Sequence, residues 1–314
     1  MGLLQNGKWV DQWYDTKASK GHFVRQASQF RNWITADGAP GPSGVGGFRA
    51  EAGRYHLYVS YACPWAHRVL IMRELKKLTK HISIDVVHPD MLNKGWSFCK
   101  KFMGATGDRL NKKKYLHEIY QIHQKKLNTK VTVPVLWDKK TNTIVNNESS
   151  EILRIFNTDF NQVTKNYDDY YPFNLRNKID SINEDVYINL NNGVYKTGFA
   201  KSQKAYEKSV INLFDCLDRI EIILSKNKYL TGSKLTEADI RLIATLIRFD
   251  LVYHYHFKCN LKKISEYKNI NAYLKKLNQV PAIKNTTFNN HIKRHYYYSH
   301  ENINPFRIIP LGPN

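Results

Sequence analysis

Cys63 stands directly before Pro64, where an aromatic and β-branched run, Tyr55 to Ser60, gives way to apolar residues Ile71, Leu75 and Leu78 at helical spacing. Proline suits a first helical position because its missing N–H would be unpaired there anyway. Cys63 therefore falls at the mouth of a helix that follows a strand. Peptide dipoles and unpaired N–H groups at such an end favour an anion, and a cysteine there is a thiolate near neutral pH. The thiolate is the reactive form, so Cys63 is the candidate nucleophile; the plainer reading is a small buried hydrophobe. A dithiol oxidoreductase carries a second cysteine three positions on, and here that position is Ala66. An outside thiol must then resolve any mixed disulfide. That points to monothiol chemistry with glutathione.

Three further stretches can supply a binding site beside such a thiol. In the run Lys130-Val131-Thr132-Val133-Pro134-Val135-Leu136-Trp137, a proline inside a strand pattern argues against a central strand. It fits if Val133-Pro134 is cis at the strand entry, where Val133 turns its backbone outward to pair with a peptide ligand. An ordinary edge-strand proline is the alternative. Asn146-Asn147-Glu148-Ser149-Ser150 leads into an amphipathic helix from Glu151 to Phe156. Its first N–H groups can take a carboxylate, and Glu148 beside them an ammonium, the pair found at the γ-glutamyl end of glutathione. Trp96, in Gly95-Trp96-Ser97-Phe98, offers a rigid wall or simply packs its segment down. A metal site finds no support: His291 and His295 are four apart without the intervening glutamate of a zinc-protease helix, and His254 and His256 lack partners.

The elements around these residues divide the chain. Residues 1–21 read as polar and irregular, 23–34 as a short helix packing Phe30 and Ile34, and 38–47 as a Gly/Pro loop. Ile82 to Val87 is a second strand, so strand, helix and strand make a βαβ unit with parallel pairing. Residues 88–128 read as a polar, irregular insertion, and Thr143-Ile144-Val145 as a last strand. Beyond about 160 the periodicity gives helices only, near 173–192, 204–226, 237–256 and 267–277. Thr236-Glu237-Ala238-Asp239 is a capping box for the third of these.

Composition narrows the class further. A chain of 314 residues with 42% hydrophobic content fills two cores. No apolar run approaches a membrane span, and the start lacks a signal peptide's apolar stretch and, at Asn6, the hydroxyl of a myristoylation signal. Four scattered cysteines, Cys63, Cys99, Cys216 and Cys259, suit a reducing compartment, so the cytoplasm is expected. The net charge of +21 comes from lysines spread along the chain rather than a tract, which reads as composition rather than nucleic-acid binding.

The stretches AEAGRYHLYVSYACPWAHR, TVPVLWD, NNESSEI, GVYKTGFA, VYHYHFKCN and HIKRHYYYSHENINPFRIIPLGP, in that order, resemble the glutathionyl-hydroquinone reductases, the Xi class of glutathione transferases. The match runs from about Phe23 to the C-terminus. The resemblance implies an α/β thioredoxin-like N-terminal domain, with a mixed sheet and a cis-proline, followed by an all-α glutathione-transferase C-terminal domain. Residues 1–53 are then an extension covering the first domain, 54–160 the glutathione-binding domain, and 161–314 the helical domain with its tail. It implies a homodimer, glutathione as co-substrate and no metal. It makes Cys63 the nucleophile and Tyr195, in GVYK, the acid/base residue, with Tyr253 and Tyr296 near the thiol. The glutathione site maps to Trp96, Lys130, Val131, Thr132, Val133, Pro134, Glu148 and Ser149. Tyr255 is the fallback for Tyr253, and Tyr297 and Tyr298 leave the register of Tyr296 open. Lys130 stands where many members carry arginine, which loses the bidentate fork for a carboxylate.

The expected activity is reduction of glutathionyl-hydroquinones to hydroquinones with release of glutathione disulfide. The rivals are an Omega-like thioltransferase or dehydroascorbate reductase, and a non-catalytic basic binding module. Phenolic O–H groups from Tyr253 and Tyr296 are expected to donate to the Cys63 thiolate and lower its pKa.

Overall fold

A computed structural model describes residues 2–14, 16 and 18–313, which form two units. The first comprises Met1–Trp13 and Ala27–Asp168, the second Tyr14–Gln26 and Asp169–Asn314.

The first unit opens on a hairpin, Leu3–Gln5 (β1) and Lys8–Val10 (β2), where an irregular stretch was expected. The cause is Asn6-Gly7, with φ of 46° and 75°, the residue pair that a tight two-residue hairpin turn demands. Tyr55–Val59 (β3) is buried along its whole length and is followed by Pro64–Leu75 (α1) and Ser83–Val86 (β4), which pairs parallel to it. A short hairpin, Met91–Leu92 (β5) and Gly95–Trp96 (β6), and a helix, Leu116–His123 (α2), occupy the stretch expected to be irregular. Leu116, Ile119 and Tyr120 carry the i, i+3, i+4 signal of that helix, and Glu118 caps it by accepting from the Tyr115 N–H at 2.8 Å.

Thr129–Lys130 (β7) pairs with β1, and Val135–Asp138 (β8) with β3; the expected single strand is split by the cis Val133–Pro134 bond. Thr143–Asn146 (β9) closes the four-stranded order β4-β3-β8-β9, and Ser149–Thr158 (α3) and Asn161–Thr164 (α4) end the unit. This is a thioredoxin-like mixed sheet. Residues 27–34 are extended, not helical, because they run along the open edge of β9. The Asn32 N–H donates to the Val145 carbonyl and the Asn147 N–H to that of Phe30, both at 3.0 Å, which covers an edge otherwise open to pairing.

A buried ion pair ties the residue before β3 to the end of β8. Asp138 on β8 is fully buried and takes Arg54 Nε at 2.9 Å and Nη2 at 2.7 Å. Burial opposes its charge, but Arg54, Thr141 and the Lys140 N–H outweigh it and hold the carboxyl below the usual range. Such a depressed group adds stability above the ordinary carboxylate range and loses it as pH falls through the lower folded value. Asp138→Asn, leaving buried Arg54 with only the more exposed Glu51 opposite its charge, is expected to cost about 3 kcal/mol at neutral pH. It should also flatten the acid limb of urea-midpoint stability against pH. Wild-type stability with an unchanged acid limb would contradict this.

The second unit is helical. Arg176–Asp185 (α5) runs into a π-helical turn, Val186–Asn191, then Gly193–Gly198 (α6) and the long Gln203–Lys226 (α7). Glu237–Arg248 (α8) continues through a second π-helical turn, Phe249–Tyr253, into His254–His256 (α9). Lys268–Leu277 (α10), Pro281–Lys284 (α11) and Asn289–Ser299 (α12) complete it. The helices follow the apolar periodicity, and the Thr236–Asp239 capping box is present: Asp239 accepts from the Thr236 N–H at 2.8 Å. Local widening into π turns shifts the phase of a helix by about one residue and recurs at functional sites. Here one such turn ends on Tyr253 and the other leads into the helix that bears Tyr195.

Candidate active site

Cys63 is the N-cap of α1, with extended φ and ψ of −77° and 121°, and Pro64 holds the first helical position as expected. Its thiol is half-buried and donates to the Val133 carbonyl oxygen at 3.5 Å. The sulfur thus sits between the helix N-terminus and the residue preceding the cis-proline. The other cysteines differ. Burial pushes the thiols of Cys216 and Cys259 up, that of Cys216 to about 12 with help from Asp185, so both stay protonated and inert. Cys99 is exposed and lies away from any helix start.

Beside the thiol runs the segment Val131 to Pro134. Thr132 is engaged on both sides by the Tyr120 hydroxyl, which donates to its carbonyl at 2.9 Å and accepts from its N–H at 3.3 Å. Among the described residues, no hydrogen bond is made to the Val133 N–H. An extended peptide can take that donor as an added strand would. Val131 and Val133 are buried beneath, and burial lowers the pKa of the nearby Lys130. Trp96 is only 6% exposed and packs in the core with Tyr58, Phe98 and Tyr120, so packing is the role visible for it.

The Glu148-Ser149 pair opens α3. Glu148 is its N-cap and accepts from the Ser150 N–H at 3.1 Å, from Ser150 Oγ at 2.8 Å and from Ser28 Oγ at 3.0 Å. Burial works against its charge; Arg68, 3.8 Å away, and these hydrogen bonds prevail and hold its carboxyl below the ordinary range. Ser149 Oγ accepts from Arg68 Nε at 3.1 Å and Nη2 at 2.6 Å. Arg68 is thus a residue of the candidate site that the sequence reading passed over, although it closes the CPWAHR motif. It is buried on α1 over the Trp65 ring and couples the thiol's helix to the N-cap of α3.

The second unit brings together three tyrosines. Tyr195 and Tyr296 share a hydrogen bond of 2.6 Å between their hydroxyls, and Tyr253 and Tyr296 one of 2.9 Å. Of the alternatives, Tyr297 donates to the Leu251 carbonyl, Tyr298 packs on Arg294, and Tyr255 is 72% exposed. Gly198 lets α6 press on the neighbouring Phe257, since a Cβ there would lie 2.3 Å from its ring. Burial raises the pKa of Tyr253 and Tyr296 well above the phenol value, with the neighbouring phenols adding to it and Arg248 opposing.

The hydroxyls of Tyr195 and Tyr253 both meet that of Tyr296, and either oxygen of each pair can donate. Tyr253 and Tyr296 are 0% and 1% exposed while Tyr195 is half-buried, so Tyr195 is the most accessible member of the cluster. A cavity of 1160 Å³ elsewhere in this unit, lined by residues such as Leu251, Tyr255 and Ile308, includes none of the three. Among the described residues, no group of three or more His, Cys, Asp or Glu could hold a metal ion.

Residues 62–159 match the glutathione S-transferase N-terminal domain model, and 203–276 the C-terminal domain model. The chain is 55% identical over 313 residues to the glutathionyl-hydroquinone reductase YqjG of Escherichia coli, covering 100% of this chain and 95% of that protein. It is 48% identical to the glutathionyl-hydroquinone reductase PcpF of Sphingobium chlorophenolicum, covering 100% and 96%. Its fold superposes on the glutathione-bound structure of YqjG with a TM-score of 0.92 at 51% identity, covering 99% and 96% of the two chains. The glutathione S-transferase Xi of Phanerochaete chrysosporium gives 0.90 at 51%, covering 94% of each.

Proposed function

This chain belongs to the glutathionyl-hydroquinone reductases, the Xi class of glutathione transferases, and we propose that it works through Cys63 as nucleophile and Tyr195 as proton donor. It is a cysteine-type enzyme that uses glutathione to reduce glutathionyl-hydroquinones to hydroquinones. The observation that carries the assignment is Cys63 at the N-terminus of α1, against the residue before the cis-proline.

Direct thiolate attack on the sulfur of an aryl thioether would expel a ring carbanion, a poor leaving group. Protonation of the sulfur-bearing carbon first gives a keto tautomer, and Tyr195 supplies that proton. The Cys63 thiolate then forms an S–S bond to the glutathionyl sulfur, and the C–S electron pair leaves with the ring as an enolate that becomes the hydroquinone. A second glutathione thiolate attacks the mixed disulfide at the glutathionyl sulfur, releasing glutathione disulfide and the Cys63 thiolate. The phenol cluster favours this reading over an Omega-like thioltransferase, whose mixed-disulfide substrates need no ring protonation.

Lys130, Val131, Thr132, Val133 and Pro134 with Glu148, Ser149 and the edge of Trp96 bind glutathione in this reading. Arg68 is the residue that holds Glu148 and Ser149 in place. Arg68→Lys keeps the charge and loses the fork, so the glutathione KM should rise about ten-fold with kcat changed less than about two-fold. A fall in kcat at unchanged KM would remove Arg68 from glutathione binding.

A homodimer and a cytoplasmic setting belong to the same reading. Four free cysteines suit a reducing compartment, and among the described residues no helix is long and apolar enough to cross a membrane. The direct test is incubation with glutathione and glutathionyl-menadiol. Equal amounts of free menadiol and glutathione disulfide support the reading; activity confined to mixed disulfides or dehydroascorbate supports the Omega-like one.

A further inference from the structure

The segment Tyr14–Gln26 clusters with the helical unit, and it brings a cation to the tyrosine cluster. Arg25 Cζ lies 5.0 Å from the centroid of the Tyr195 ring and 5.3 Å from that of Phe23. Its Nε donates to Asn192 Oδ1 at 2.9 Å, and Asn192 is buried at the start of the same helix that carries Tyr195. The guanidinium is therefore fixed to the backbone frame of Tyr195 and stacked over its ring, in the company of a second aromatic. Neither the sequence motifs nor the family roles considered above use this residue.

We propose that Arg25 is a positioning residue for the Tyr195 phenol, holding its ring and stabilising the negative charge that forms on it as the proton leaves. A cation over an aromatic face is attracted by the ring's electron density, and a phenolate is richer in it than a phenol. The interaction therefore strengthens as the proton moves to the substrate carbon, which is the condition for accelerating that step. This rests on the acid role of Tyr195 proposed above.

The titratable groups that bear on Tyr195 bound its pH behaviour. Tyr296 and Tyr253 face it through the hydrogen-bonded hydroxyls and remain neutral. Arg248, at the end of α8, bears on those two phenols. Lys196, next on α6, donates its ammonium to the Ile188 carbonyl at 3.0 Å. One layer out, Tyr14 packs against Phe199, and His300 lies against Phe199 and Phe257; burial drives the His300 pKa well below the usual value, so it stays neutral. Arg25 is a cation stacked on the Tyr195 ring itself.

The test compares Arg25→Gln, Arg25→Lys and Tyr195→Phe in two assays, hydroquinone release from glutathionyl-menadiol and reduction of a simple mixed disulfide. Arg25→Gln should slow hydroquinone release about ten-fold and leave disulfide reduction within about two-fold. The alkaline limb of its hydroquinone pH profile should move to higher pH, because losing the cation makes the phenol a weaker acid. Arg25→Lys should keep most of the rate and the wild-type limb. On a Tyr195→Phe background, Arg25→Gln should add no further loss. Equal losses in both assays, an unmoved limb, or a lysine variant as impaired as the glutamine one would overturn the role of Arg25. A Tyr195→Phe variant without selective loss would instead remove the acid role on which it depends.

Discussion

Cys63→Ala is expected to cut turnover of glutathionyl-menadiol by on the order of a thousand-fold or more, because the reaction passes through a bond to that sulfur. Glutathione affinity should stay within about three-fold, since Val133, Glu148 and Ser149 offer their contacts without the thiol. The two effects separate because the thiol is a nucleophile at the end of the site and not a support for it. Its 3.5 Å contact to the Val133 carbonyl is a weak one to lose. The remaining thiols do not replace it: Cys216 and Cys259 are buried and held protonated, and Cys99 is exposed on a different segment. Rates of hydroquinone release beside calorimetric glutathione titration check this. Turnover near wild type in Cys63→Ala would reject the nucleophile.

Tyr195→Phe is expected to slow hydroquinone release about a hundred-fold, the range of a positioned general acid, while reduction of a mixed disulfide stays within about three-fold. Only the first reaction needs a proton on carbon. The substitution removes one oxygen, and Tyr296 loses its 2.6 Å partner but keeps Tyr253 at 2.9 Å, so the cluster retains a hydrogen-bonded pair. The aromatic packing against Phe23, Phe199 and Phe257 survives in phenylalanine. Parallel kcat measurements on the two substrates decide it. Losses of equal size would assign Tyr195 to binding or folding and leave the proton donor unassigned.

The parts of the site legible in the sequence are those whose chemistry is local. Cys63-Pro64 announces a helix start because proline tolerates one helical position best, and Glu148-Ser149 marks another. Val133-Pro134 stood out as a proline in the wrong place for a central strand. The tyrosine cluster was reachable only through the resemblance. Tyr195 and Tyr296 lie 101 residues apart, and nothing in either neighbourhood states that their hydroxyls meet. One residue of rotation about α12 separates Tyr296 from Tyr297, which points elsewhere.

Other features had signals that went unused. Asn6-Gly7 is a hairpin pair, and Leu116, Ile119 and Tyr120 have helical spacing, yet polar surroundings masked both. The extended course of residues 27–34 had no local signal, because an apolar pair four apart fits a helix and the edge of β9 decides otherwise. Arg68 and Arg25 meet tertiary partners, Ser149 and Tyr195, so the roles proposed for them had no local signal.

The most direct measurement is a single turnover without free glutathione. One equivalent of glutathionyl-menadiol is mixed with the enzyme, and intact-protein and peptide mass are followed beside menadiol release. The expected result is one glutathionyl group on the peptide bearing Cys63 for each menadiol released, discharged as glutathione disulfide when glutathione is added. Menadiol release with no adduct, or an adduct on the peptide of Cys99, would contradict a mechanism that runs through Cys63.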